Sequence, residues 1–237
     1  MTQITPLNNE QHANLKIMNS TDFRRYKEQH LIPLIAHDFI PMASEFSVVF
    51  VKNEETGQFT AVAMMGIKPG LNLYCQDDKW EPSVMPSSFL KSPLSLHIQD
   101  ENSDDCFVGI DLDSPLVTTE NGQALFNSEG EQTDYLKART EHLLDVTQKY
   151  EQTQKITQHL ASKRLLTHKK LNINLGKDEK YAIDGLYIID EKALNALSQD
   201  DFNDLRDKGL LPLIYAHLSS MHQIGRLAKK QIQFDTK

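Results

Sequence analysis

The chain has 237 residues, 39% of them hydrophobic, and 25 Lys and Arg against 33 Asp and Glu leave a formal charge of −8. That length accommodates one large core over 1–237, with short tails expected at 1–12 and 233–237. The negative balance speaks against a nucleic-acid partner, because the one basic cluster, Lys163-Arg164 with Lys169-Lys170, is short and lacks interleaved aromatics.

The first residues carry neither a basic nor an apolar signal region, and no apolar run approaches the roughly 20 residues that span a bilayer. A soluble, cytoplasmic protein without a transmembrane segment is expected, with export by another route left open. Two cysteines, Cys75 and Cys106, without a CxxC spacing predict packed, reduced thiols.

In chain order, a short extended piece is expected near Leu15-Lys16-Ile17, a helical turn at 21–28, and a short helix opening at Pro41, where the missing N–H would be unpaired anyway. The segments 47–52 and 58–67 flank Asn53-Glu54-Glu55-Thr56-Gly57 and read as a hairpin covered on both faces. A strand at 71–76 closes on Asp77-Asp78-Lys79. Pro82, Pro86 and Pro93 then restrict the chain to a loop with a short helix near 86–91. Two strands follow, about 94–99 and 106–110, around an acidic turn at 100–105, with a loop over 111–131.

A helix is predicted over 132–162, its apolar seam carrying Leu136, Leu143, Val146, Tyr150, Thr153, Thr157 and Leu160 against a face rich in Gln, Lys and Glu. A second hairpin spans 170–189 around Gly176-Lys177-Asp178-Glu179. Asp190 and Ser198 are placed to cap the helices after them, Gly209 to end the second, and Pro212 to open a last helix running to about 232. The fold class is therefore α+β, a mainly antiparallel sheet of hairpins covered by the long central helix and the C-terminal helix.

One phrase occurs twice, Pro33-Leu34-Ile35-Ala36-His37 and Pro212-Leu213-Ile214-Tyr215-Ala216-His217. Each copy ends an apolar segment with an imidazole, which needs a partner, and the two are expected to pack in one core layer. His37 and His217 could share a metal with Asp38, Asp190 or Glu191, since two imidazoles and a carboxylate suit iron or zinc; a buried hydrogen-bonding role is the alternative. Asp111-Leu112-Asp113 could hold a divalent ion or form an Asx turn. Trp80, Tyr74, Phe89 and Tyr187 could line a ligand cleft or fill the core. No GxSxG, P-loop or GxGxxG stands in the chain, and no cofactor is expected.

Five phrases together resemble the SapC-like bacterial family: Pro33 to Phe39, Glu45 to Lys52, Gly66 to Tyr74, Gly185 to Glu191 and Leu211 to Leu218. The segment Ser88-Phe89-Leu90-Lys91-Ser92-Pro93-Leu94 departs from the family's basic, aromatic character. The resemblance implies a link, by name, to a bacterial surface layer and a companionship with envelope-uptake genes, and no reaction, ligand or catalytic residue. The functional expectation is a non-catalytic binding or assembly protein with a protein or small-molecule partner, homo-oligomerisation being left open. The alternative is a metal-dependent enzyme whose His and Asp or Glu groups converge from distant segments.

Overall fold

The computed structural model describes residues 4–76, 79–91, 93–98, 106–175 and 180–236. The turns expected at Asp77-Asp78, 100–105 and 176–179 lie outside them. The chain is α+β with antiparallel sheets, and it forms two compact units, one of residues 1–22 and 87–148, the other of residues 23–86 and 149–237.

In the first unit, strand Cys106–Asp111 lies between Ile4–Pro6 and Leu94–Ile98. The short strand Lys16–Ile17, where an extended piece is expected, lies between Val117–Thr118 and Gln123–Ala124, two strands inside the 111–131 stretch expected to be loop. Leu136 and Leu143, from the first half of the helix Asp134–Ser162, complete a core with Ile17, Leu94, Ile110, Leu116, Leu125 and Phe126. The strands expected to extend the main sheet at 94–110 thus belong to a separate one. Their third partner is Ile4–Pro6, which with the helix Asn9–His12 occupies the stretch expected as a tail.

The second unit is built on a five-stranded sheet in the order Leu166–Asn174, Lys180–Ile189, Val48–Lys52, Phe59–Met64, Leu31–Pro33. Both expected hairpins are present, the second starting four residues earlier than predicted. Val48, Val49, Phe50, Ala61, Val62, Ala63 and Met64 are all buried, as the unbroken apolar runs require. Of the strand expected at 71–76, only Cys75–Gln76 pairs, with Lys79–Trp80. Asn72 diverts the rest: its carboxamide oxygen accepts the Tyr74 N–H at 2.9 Å and its amide donates to the Tyr26 carbonyl at 3.0 Å, a local alternative to a ladder.

Helices close this unit. Thr153 Oγ1 accepts the Ala36 N–H at 2.8 Å, and Thr157 Oγ1 donates to the Phe59 carbonyl at 2.9 Å. The short helix Phe39–Ala43 packs on Leu211–Ser220. The single last helix expected from Pro212 to about 232 is instead two, Leu211–Ser220 and Gln223–Asp235. Ser220 Oγ donates back to the His217 carbonyl at 2.6 Å and accepts the Val48 N–H at 2.9 Å. Such back-bonding bends helices, and the change of phase buries Leu227 and Gln231 in place of Ile224, Ala228 and Ile232.

Candidate functional site

A groove of about 400 Å³ runs between the turn of the first hairpin, at Thr56 to Phe59, and the helix surface from Tyr150 to Ala161. Local chemistry fixes the turn. Asn53 Oδ1 accepts the N–H groups of Glu55 and Thr56 at 2.9 and 3.0 Å, and Gly57 takes φ +73° while its N–H reaches the Asn53 carbonyl, a conformation that favours glycine. The Thr157 hydroxyl, buried at 1% exposure, ties the first residue of strand Phe59–Met64 to the helix. The groove is thus held by a fixed turn and a bonded helix, within the volume range of small-molecule sites.

Its lining is mixed. The Phe59 ring is backed edge-on by Tyr187 at 5.0 Å between centroids, with the Lys52 ammonium 5.7 Å over it, and Tyr187 in turn meets His168 edge-on at 5.5 Å. Tyr150, expected on the buried seam, is 36% exposed and faces the groove. Around these rings stand Gln58, Glu151, Gln154, Lys155 and Gln158. The side-chain amides of the three glutamines have no protein partner among the described residues.

Of the four aromatics expected to line a ligand cleft, none lines this groove: Tyr187 only packs edge-on against Phe59, which does, and Phe89 is buried in the first unit. Tyr74 and Trp80 meet elsewhere in the second unit, 6.5 Å apart, with Phe46 between 4.8 and 5.8 Å from both. Tyr74 is 1% exposed. Burial pushes its phenol up to about 12, with Arg226 opposing and Glu45 and Glu81 adding to the shift. Lys230 sits 4.8 Å over its ring and pairs with Glu81 at 2.6 Å, while Arg226 pairs with Glu45 at 2.8 Å. Trp80 is half-buried and its Nε1 donates to the Val84 carbonyl at 2.9 Å. This cluster is a packed junction that fastens Gln223–Asp235.

The metal set His37, His217 and Asp38 is not assembled. His37 is exposed, and Asp38 is buried with its carboxylate accepting the Ile35 N–H at 3.2 Å. His217 is fully buried, its Nε2 accepting the Ile189 N–H at 3.0 Å, and burial pushes its pKa down to about 4 against a smaller opposing effect of the Val48 backbone. Among the described residues no three His, Cys, Asp or Glu side chains converge as metal ligands. Asp111 is buried and accepts the Asp113 N–H at 3.2 Å, an Asx turn. Neither cysteine forms a disulfide: Cys75 is buried, its Sγ donating to the Phe23 carbonyl at 3.0 Å, and Cys106 is exposed.

The pattern of the SapC family matches residues 7–227. The chain belongs to the SapC family. Neither a curated protein nor a solved structure matches it. All five phrases that carry the likeness fall in the second unit of this SapC chain, where they form or adjoin four of the five strands and the helix Leu211–Ser220. No helix among the described residues is long and apolar enough to cross a membrane.

The groove residues lie within the matched span but outside those phrases. Sequence reasoning missed them because the Gln-rich face of the long helix reads as a solvated face, and nothing local says that a hairpin turn will stand opposite it. The one signal present was Tyr150, an aromatic on a seam otherwise made of aliphatic and threonine side chains.

Two smaller pockets lie elsewhere. One of about 230 Å³ is lined mainly by apolar side chains, including Leu31, Met64, Ile67 and Leu186, with His30, whose pKa burial lowers. The other, about 360 Å³ and wholly within the first unit, is lined by residues that include Asn19, Thr21, Tyr135 and Arg139. The basic cluster is partly neutralised, since Lys163 pairs with Asp201 and Asp204 at 2.5 and 3.2 Å.

Proposed function

We propose that this SapC-family chain is a binding protein that holds a small soluble ligand in the groove between Thr56 to Phe59 and Tyr150 to Ala161 and releases it unaltered. The observation that carries this reading is the convergence, in a groove of ligand size, of Phe59, braced edge-on by Tyr187, and Tyr150 with glutamine amides that have no protein partner among the described residues. Pockets that bind small molecules combine apolar area with a few placed polar groups in this way. The resemblance's implied companionship with envelope-uptake genes supports a ligand drawn from that traffic.

Amide chemical-shift mapping of the full chain against a library of small polar compounds tests the reading. Compounds that bind should shift residues 56–59 and 150–161 first, lose affinity in Tyr150→Ala, and be recovered unchanged. Binding confined to other surfaces, or conversion of the bound compound, would overturn it.

A further inference from the structure

We infer that the ligand of this groove is a neutral carbohydrate, a mono- or disaccharide, an inference that rests on the binding reading above. Three properties of the lining select that class. Each glutamine amide offers two donors and an acceptor on one rigid plane, and Gln58, Gln154 and Gln158 bring three such planes to one groove. Sugar hydroxyls both donate and accept, so they can satisfy both ends of an amide at once. A ligand without them leaves those amides desolvated and unpaired, which is how a hydrogen-bonding site rejects analogues.

The second property is the aromatic surface. Phe59 and Tyr150 present flat apolar area, Phe59 immobilised by Tyr187 behind it. The C–H face of a pyranose ring is also flat and apolar, so the two can exclude water from each other while the ring's hydroxyls point sideways to the amides. The third property is charge. Glu151 and Lys155, the charged residues of the lining, cancel, and neither is paired with another described residue. Apart from the single Lys52 ammonium over the Phe59 ring, the groove has no uncompensated charge with which to attract an anion or a cation. A nucleotide would need cations or clustered N–H groups for its phosphates, and an acyl chain would need a continuous apolar wall.

The test is calorimetric titration of the full chain, with chemical-shift mapping, using maltose, cellobiose, glucuronic acid and an acetylated, amidated tetra-alanine peptide. Tyr150→Ala and the double variant Gln154→Ala with Gln158→Ala change exposed or half-exposed side chains, and a Trp80 fluorescence melt checks that each still folds. The expected result is that a neutral disaccharide shifts residues 56–59 and 150–161, without salt dependence, and that affinity falls about tenfold or more in each variant, the equivalent of one lost hydrogen bond or ring contact.

Tighter, salt-sensitive binding of glucuronic acid would overturn the neutral class. Occupation of the groove by the peptide, or by library compounds but by no sugar, would overturn the carbohydrate inference and leave the binding reading standing. If no sugar, peptide or library compound moves the groove residues, both fall together.

Discussion

Burial holds His217 neutral, its pKa lowered from 6.5 to about 4, and its bare Nε2 accepts the Ile189 N–H. In the unfolded chain the imidazole takes a proton as pH falls through 6.5, whereas in the folded chain it does so only near 4. Its contribution is therefore complete above about 6.5 and is lost as pH falls to 4, by about 3 kcal/mol in total. His30, also lowered by burial, acts in the same sense. Urea unfolding should show the midpoint dropping between pH 7 and 4.5. His217→Ala should be less stable at pH 7 by about 3 kcal/mol, through the orphaned N–H and a cavity, yet show a flatter pH dependence. An unchanged slope in the variant would assign the titration to other groups. That one copy of the repeated phrase buries its histidine and the other exposes it has a simple cause. The inserted Tyr215 places Ile214 and His217 three apart on one helix face, whereas Ile35 and His37 are two apart across the entry to a 3-10 turn. Identity of residues was legible in the sequence; the conformation that gives their spacing meaning was not.

At the scale of elements, legibility follows the range of the interaction. The caps stand where local chemistry puts them. Asp190 Oδ1 accepts the N–H groups of Lys192 and Ala193, Ser198 Oγ accepts that of Asp201, and Gly209 takes φ +68°. The hairpins are set by turns and apolar runs of a few residues and were equally readable. Sheet membership was not, since the strands at 94–111 find their third partner about a hundred residues away, at Ile4–Pro6, and no local pattern encodes that choice. The seam of the long helix held at Leu136, Leu143, Val146, Thr153, Thr157 and Leu160 and failed at Tyr150, where the groove stands in place of a packed partner. Because the caps act locally, their removal should be felt locally. Asp190→Ala should lower stability by about 1 kcal/mol and speed hydrogen exchange at Lys192 and Ala193, whereas Asp190→Asn, which keeps an acceptor, should stay close to the parent chain. Equal exchange at those two amides in all three proteins would show that the cap contributes nothing.

At the scale of the whole molecule, the second unit is closed by the end of the chain. Residues 210–237 bury Leu210, Ile214 and Leu227, and at about 1.5–3 kcal/mol for each fully buried aliphatic side chain these contribute roughly 5–9 kcal/mol. His217 and Ser220 satisfy backbone N–H groups on two different strands, Gln223 donates to the Ser44 carbonyl, and Arg226 and Lys230 hold Glu45 and Glu81. The ion pairs are partly exposed and add little, so the apolar contacts and the two satisfied amides decide the outcome. Their sum is comparable to the entire net stability of an ordinary domain, about 5–15 kcal/mol. Deleting 210–237 should therefore abolish the cooperative unfolding of this unit and not merely shift its midpoint, because the sheet would lose the helix that Phe39–Ala43 packs on and leave the Val48 and Ile189 amides unpaired. Trp80, the only tryptophan, lies in this unit, so its fluorescence during a thermal melt reads the result directly. A truncated chain that kept a cooperative Trp80 transition near the full-length temperature would show that the sheet closes without its C-terminal helices.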